Sequence, residues 1–269
     1  GAPTPPVDDT DFYSNLAEQL DSSDLSTIKN DLMANVDSDK DSRSDWEKTY
    51  REGLEQLGMK YEERTQPFEG ASGVMHPHLA ESVTQFQAQA YNELLPSQGP
   101  VKTQVLGMTT AESEQQASRV QEFMNYQLMQ VMKEYDSETD QMLFYLPLSG
   151  SAFRKVYYDQ NLDRAVSKFI PSEDLIVPYS ATDLHSATRI THVIDMSIND
   201  IKKLQQVGFY RDVDISMGNI MADDYDEIQE EVDELQGISP NYNDTDTCKV
   251  HEIHTELDIP GFEDLNSEG

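Results

Sequence analysis

Residues 68–107 read FEGASGVMHPHLAESVTQFQAQAYNELLPSQGPVKTQVLG: a glycine loop, a helix, a proline-glycine break and a strand. Gly70 and Gly73 stand three apart, so the backbone can take positive φ twice before the helix begins. Pro77 suits a first helical turn, where its missing N–H costs nothing. Leu79, Val83, Phe86, Ala90 and Leu94 then follow at helical spacing, which predicts an apolar stripe packed in a core. The opposite face carries Gln85, Gln89 and Asn92 and little charge. Amides in place of charges suit a face that meets another polar protein surface. These three are the candidate subunit-interface residues, against the plainer reading of a solvated face. Pro96, Gly99 and Pro100 stop the helix. Val101, Thr103 and Val105 alternate with Lys102 and Gln104, which predicts a half-buried strand.

The flanking sequence extends this pattern. Residues 1–11 are a proline- and aspartate-rich lead-in. Leu16, Leu20, Leu25, Ile28, Leu32 and Val36 predict one or two short amphipathic helices. Trp46, Tyr50, Leu54 and Leu57 predict a helix closed by Gly58. Beyond the opening stretch, Ala117, Val120, Met124, Leu128, Val131 and Tyr135 predict one helix over 110–135. Met129 and Met132 widen its stripe, so burial on more than one side is expected. A second helix, 137–148, is interrupted near Pro147, and Gly150 ends the helical half.

The period then changes to two. Residues 152–158 and 165–170 predict a hairpin around a turn at 159–163. Residues 175–178 and 189–194 are further short strands. Ser197 caps a helix over 198–207 that Gly208 closes. Residues 223–235 predict a very acidic helix with Tyr225, Ile228, Val232 and Leu235 as its stripe. A last strand covers 247–259, ended by Pro260 and Gly261. The chain therefore reads as an α+β fold in four parts. These are an acidic arm (1–44), a helical region (45–150), a small strand-and-helix unit (151–215) and an acidic helix with a strand (216–269).

Composition narrows the function. The 269 residues carry a net charge of −32, with 37% apolar residues; the mean hydropathy is −0.65. The charge is uneven: residues 1–65 are net −9, 66–150 net −7, 151–210 neutral and 211–269 net −16. Such a chain lacks the clustered Lys/Arg that grips phosphates, though it suits a surface that nucleic acid passes without sticking. Cys248 is the single cysteine, which excludes an internal disulfide framework and suits a reducing compartment. No apolar run approaches the roughly 18 residues of a membrane span, and the start lacks a signal pattern.

No chemical motif is complete. Asp37, Asp39 and Asp41 open like a calcium loop, but Ser42 and Lys48 stand where glycine and glutamate are needed. A solvated turn, with Ser44 or Asp45 capping the Trp46 helix, is the expected reading. Residues 70–73 lack the lysine of a phosphate-binding loop. His76 and His78 flank a proline, and His251 and His254 sit three apart on a strand. Neither spacing is expected to converge on one metal, so surface or interface histidines are predicted. No nucleophile elbow is present. Arg154, Lys155, Arg164 and Lys168 lie on the hairpin beside Asp159 and Asp163, where cross-strand ion pairing is expected. No catalytic, cofactor-binding or metal residue is assigned, and an enzyme is not expected.

The order of segments carries a resemblance. Residues 67–77 (PFEGASGVMHP), 79–94 (LAESVTQFQAQAYNEL), 99–103 (GPVKT), 150–156 (GSAFRKV), 171–178 (PSEDLIVP) and 182–192, with Arg189-Ile-Thr-His192, occur in sequence. Together they resemble portal proteins of tailed bacteriophages, in particular the large portals of short-tailed phages. The likeness covers about residues 45–215, and its specificity lies in the ordered set. It implies a homo-oligomeric ring, usually a dodecamer, at one capsid vertex of the virion, assembled in the host cytoplasm. The major capsid protein, terminase and tail or adaptor proteins would be its partners. Double-stranded DNA would pass through the channel without specific binding, and no cofactor or membrane is implied. The chain matches the N-terminal wing of longer family members and is expected to be a fragment. On this reading the stem and clip, with the channel-lining and terminase contacts they carry in the family, are not expected within these residues. The alternative from composition alone is an acidic protein-binding or regulatory module, with 223–234 mimicking the charge of DNA.

Overall fold

The computed structural model describes residues 15–58, 68, 70, 76–159, 162–215, 232 and 247–259. The lead-in at 1–11, most of the glycine loop with Gly73, the acidic helix apart from Val232, and the closing Pro260-Gly261 lie outside them. The fold is α+β, with helices through the N-terminal half and two small sheets. Its elements are α1 (Ser22–Ser42), α2 (Ser44–Leu57), α3 (His78–Leu94), α4 (Ala111–Tyr126), α5 (Tyr135–Ser149), β1 (Phe153–Asp159), β2 (Arg164–Ile170), β3 (Leu175–Ile176), β4 (Arg189–Ser197), α6 (Ile198–Gln206) and β5 (Thr247–Thr255). β1 pairs with β2, and the second sheet has the order β3-β4-β5.

The described residues fall into two compact units. The first takes the chain up to Asp45, Ile176–Asp195 and the strand residues from Lys249. In it α1 is one continuous helix. Asp21 caps it by accepting from the N–H groups of Ser23 and Asp24, two of the donors that a helix start leaves without partners. Those same bonds, with the Ser23 hydroxyl foremost, hold the Asp21 carboxyl below its usual range. Leu25, Ile28 and Leu32 lie on the half-buried side, and Val36 and Asp39 are buried. The aspartate tract is therefore not a turn but the last turns of this helix. Residues two apart on a helix point to different sides while residues four apart share one, so Asp39 faces away from Asp37 and Asp41 and the three do not converge. Asp39 instead turns inward, and its Oδ2 accepts from Nε and Nη2 of Arg189 at 2.8 and 2.7 Å.

The second unit holds α2 to α6 and the hairpin. The α2 stripe packs as its period predicts: Tyr50, Leu54 and Leu57 are buried. The helix starts at Ser44, so Ser44 lies inside it rather than capping it. Trp46 stacks on Tyr50 at 5.2 Å and donates its indole N–H to the Ser149 carbonyl at 3.1 Å. Val232 completes the cluster with Tyr50 and Leu54. Burial, then the neighbouring Glu173 carboxylate, pushes the Tyr50 hydroxyl far above its ordinary pKa. The helix α5 runs through Pro147 to Ser149 instead of breaking. Pro147 lies in the last turn, and Gly150 closes the helix at φ 79°, a left-handed cap that glycine adopts without strain.

The hairpin register places Phe153 opposite Ile170 and Asp159 opposite Arg164. One expected cross-strand charge pair is in register, since Asp159 lies opposite Arg164 and its charge favours the guanidinium. Lys155 faces Lys168, and the two arginines also reach α5 and its N-cap residue Glu134. Arg164 donates to Glu134 Oε1 at 2.7 Å, a bond that holds the Glu134 carboxyl below its usual range. Arg154 donates to the Thr139 hydroxyl at 2.6 Å and lies over the Tyr135 ring at 4.6 Å. Glu134 and Glu138 also accept from the backbone N–H of Ser167 and Phe169 at 3.4 and 2.7 Å. The carboxylates of Glu138 in α5 and of its N-cap residue Glu134 thus satisfy alternate N–H groups along the edge of β2, a strand edge that would otherwise need another strand.

Candidate interaction surface

The three amides singled out by sequence, Gln85, Gln89 and Asn92, are exposed on α3. Asn92 donates back to the Ala88 carbonyl at 2.9 Å. The other side of α3 meets α5 through polar contacts. Gln87 donates to Asp140 Oδ1 at 2.8 Å, and the Tyr91 hydroxyl donates to Asp136 at 2.5 Å. That bond raises the Tyr91 hydroxyl above its ordinary pKa. The predicted apolar stripe packs less fully than its period implies. Val83 is buried and Leu79 and Ala90 are half-buried, but Phe86 and Leu94 are exposed. Among the described residues, α5 packs against one strip of α3, which is narrower than the five stripe residues span.

The segment after Gly99 departs further from the prediction. Residues 101–105 keep the alternation, with Val101, Thr103 and Val105 half-buried and Lys102 and Gln104 exposed. They pair with no strand among the described residues. Their backbone is held by side chains of α4. Asn125 accepts from Val101 N–H at 2.9 Å and donates to its carbonyl at 3.1 Å. Gln121 accepts from Thr103 N–H at 3.2 Å, and the Thr103 hydroxyl donates to the Ala117 carbonyl at 2.9 Å. An amide side chain carries the same donor and acceptor as a peptide group, so Asn125 acts as one rung of a missing ladder. Gly99 makes room for it. Its φ is +94°, and a Cβ there would lie 2.4 Å from Asn125 Cγ.

This arrangement turns α4 over. Its start is fixed by a reciprocal cap between Thr110 and Ser113, the pattern that satisfies two helix-start donors together. Its contact side is Ala117, Gln121 and Asn125. Val120, Phe123 and Tyr126, at steps of three, are 53%, 60% and 57% exposed. No residue of α4 is buried, so the expected burial on more than one side is overturned. Among the described residues, the neighbour along α4 is a thin extended segment, which covers one side. Nor does the helix run unbroken to Tyr135. It passes into a π-helical turn over Gln127–Val131, where Met132 N–H bonds to the Gln127 carbonyl at 2.9 Å, and α5 begins afresh at Tyr135. Met129, Leu106 and Met108 add to the exposed apolar surface.

Sequence reasoning chose the amides of α3 and missed Gln121 and Asn125. Their spacing of four, in line with Ala117, was the available signal. His76 and His78 lie on the surface, as expected, but the expectation that their spacing keeps them apart needs correcting. His76 and His78 do come together, with rings stacked at 3.8 Å, and Glu81 joins them. Among the described residues no helix is long and apolar enough to cross a membrane. No protein-family model matches the chain, and no curated protein matches it.

Proposed function

We propose that this chain is the wing portion of a portal subunit. It would take part in a ring at one capsid vertex, through which double-stranded DNA is packaged and later released. The observation that carries the reading is the outward apolar face of α4. Val120, Phe123 and Tyr126 stand exposed on a chain of net charge −32. Exposed apolar patches of this kind mark protein contacts, and burying one phenylalanine side chain contributes about 2 kcal/mol. A face on one side of the subunit meeting a different face on the next closes into a ring when the rotation permits. The exposed amides Gln85, Gln89 and Asn92 would belong to the complementary, polar part of that contact. The acidic charge suits a conduit, since a surface that held phosphates would slow the passage of DNA. The ordered likeness of residues 45–215 to phage portals supplies the identity of the ring, and capsid, terminase and tail proteins follow as its partners. No catalytic step is assigned. Electron microscopy of the full-length protein tests the reading: ring-shaped particles are expected, and a preparation of monomers alone would overturn it.

A further inference from the structure

We propose that His76, His78 and Glu81 form a binding site for a divalent transition metal, with zinc the best fit. The site is independent of the ring reading. The ligand atoms of the three side chains lie within 4.8 Å of one another. Two imidazoles and a carboxylate are the nitrogen and oxygen donors that zinc accepts, at about 2.1 Å each, so a tetrahedral site needs neighbouring donors about 3.4 Å apart. Parallel imidazoles stacked at 3.8 Å must tilt toward each other, because a metal lies in the plane of each ring it binds.

The backbone explains why residues two apart in sequence converge. Pro77 has φ −79° and ψ 46°, and His78 N–H bonds to the His76 carbonyl at 2.8 Å. A bond from residue i to i+2 over such angles is an inverse γ-turn. It folds His76 back over His78, where an extended His-Pro-His would hold the rings apart. The helix begins at once, with Glu81 N–H bonded to the Pro77 carbonyl at 2.9 Å. Glu81 thereby falls one turn beyond His78 on the same face, with its Oε2 3.9 Å from His78 Nδ1. Two backbone hydrogen bonds and the fixed proline φ hold all three Cα positions before any metal arrives, which lowers the ordering cost.

Two effects oppose each other at this place. The start of α3 is the positive end of a helix dipole and disfavours a cation. Glu81 brings a full negative charge within the same turn, and the surrounding chain is acidic, which favours one. Three protein ligands leave a fourth position open to solvent. Imidazole donors separate this site from the many exposed carboxylates, since magnesium and calcium prefer oxygen and zinc accepts nitrogen.

The test titrates the full chain with zinc against a chromophoric chelator, in excess magnesium, and records the visible spectrum of the cobalt-loaded protein. The expected result is one zinc per chain that magnesium does not displace, with a tetrahedral cobalt spectrum. His76→Ala and His78→Ala should each weaken binding by at least about tenfold, the lower end of what outer-shell changes alone cost. Glu81→Gln should weaken it less. The three side chains are exposed, so each variant should keep the wild-type far-ultraviolet circular dichroism. Unchanged zinc affinity in His76→Ala/His78→Ala, or displacement by magnesium, would overturn the assignment.

Discussion

The clamp between Gly99, Val101 and Asn125 makes a quantitative prediction. Asn125→Ala removes both hydrogen bonds to the Val101 peptide, at 2.9 and 3.1 Å. Each net contribution is about 1 kcal/mol, and the site is half-open to water that can replace part of it. A local cost of about 2 kcal/mol follows, which corresponds to roughly a 30-fold rise in the opening constant of residues 99–105. Gly99→Ala acts on the same clamp from the other side. Its Cβ would sit 2.4 Å from Cγ, 2.5 Å from Oδ1 and 2.8 Å from Nδ2 of Asn125, so the whole amide must leave. The left-handed φ adds about 1 kcal/mol for any residue with a Cβ, giving a total of about 3 kcal/mol. In the Asn125→Ala background no amide remains to be displaced, and Gly99→Ala should cost only that 1 kcal/mol. The two changes are therefore sub-additive by about 2 kcal/mol, the mark of a shared interaction. Amide hydrogen exchange at Val101 in the full chain measures each opening free energy. Unchanged Val101 exchange in Asn125→Ala, or equal costs of Gly99→Ala in both backgrounds, would refute the clamp.

Three further predictions concern single contacts. Asp39→Ala strands the mostly buried Arg189 guanidinium, and denaturant unfolding should show a loss of about 3 kcal/mol; a change under about 0.5 kcal/mol would contradict the pairing. Thr110→Ala removes the reciprocal cap of α4 and should lower the protection of its first turn by about 1 kcal/mol in hydrogen exchange, with no change at its far end. Arg164 holds the Glu134 carboxyl below its ordinary 4.5, so the contribution of this pair is fully present above about pH 4.5 and is lost as pH falls through the lowered value. Stability measured against pH should fall less steeply on acidification in Arg164→Met than in the wild type; parallel curves would count against the pair.

Periodicity located the helices and the hairpin because apolar spacing reports which face of an element turns inward. It did not report what that face meets. Trp46, Tyr50 and Leu54 packed as read because Val232 and the α5 residues Tyr145 and Leu148 lie against them. The same kind of stripe on α4 has no covering element among the described residues, so Val120 and Phe123 remain outside while the amides Gln121 and Asn125 turn in. At 101–105 the period of two was legible and the partner was not. A strand and a segment clamped by asparagine and glutamine share one alternation, and Gly99 carries the difference. The aspartate tract at 37–41 read as a turn because its composition is that of one, yet Val36 and the Arg189 pairing keep α1 helical through it. His76 and His78 are exposed as read, but their coming together was not legible, because sequence separation does not register a γ-turn at the intervening proline.

The proposed ring rests on the exposed face of α4. Sedimentation velocity of the full-length protein, comparing wild type with Phe123→Glu, addresses it directly. Phe123 is 60% exposed, so the substitution should leave the fold intact. The wild type is expected to sediment as a large closed oligomer and Phe123→Glu as a much smaller species with unchanged circular dichroism. A wild type that stays monomeric at all concentrations, or a variant that assembles equally well, would contradict the account.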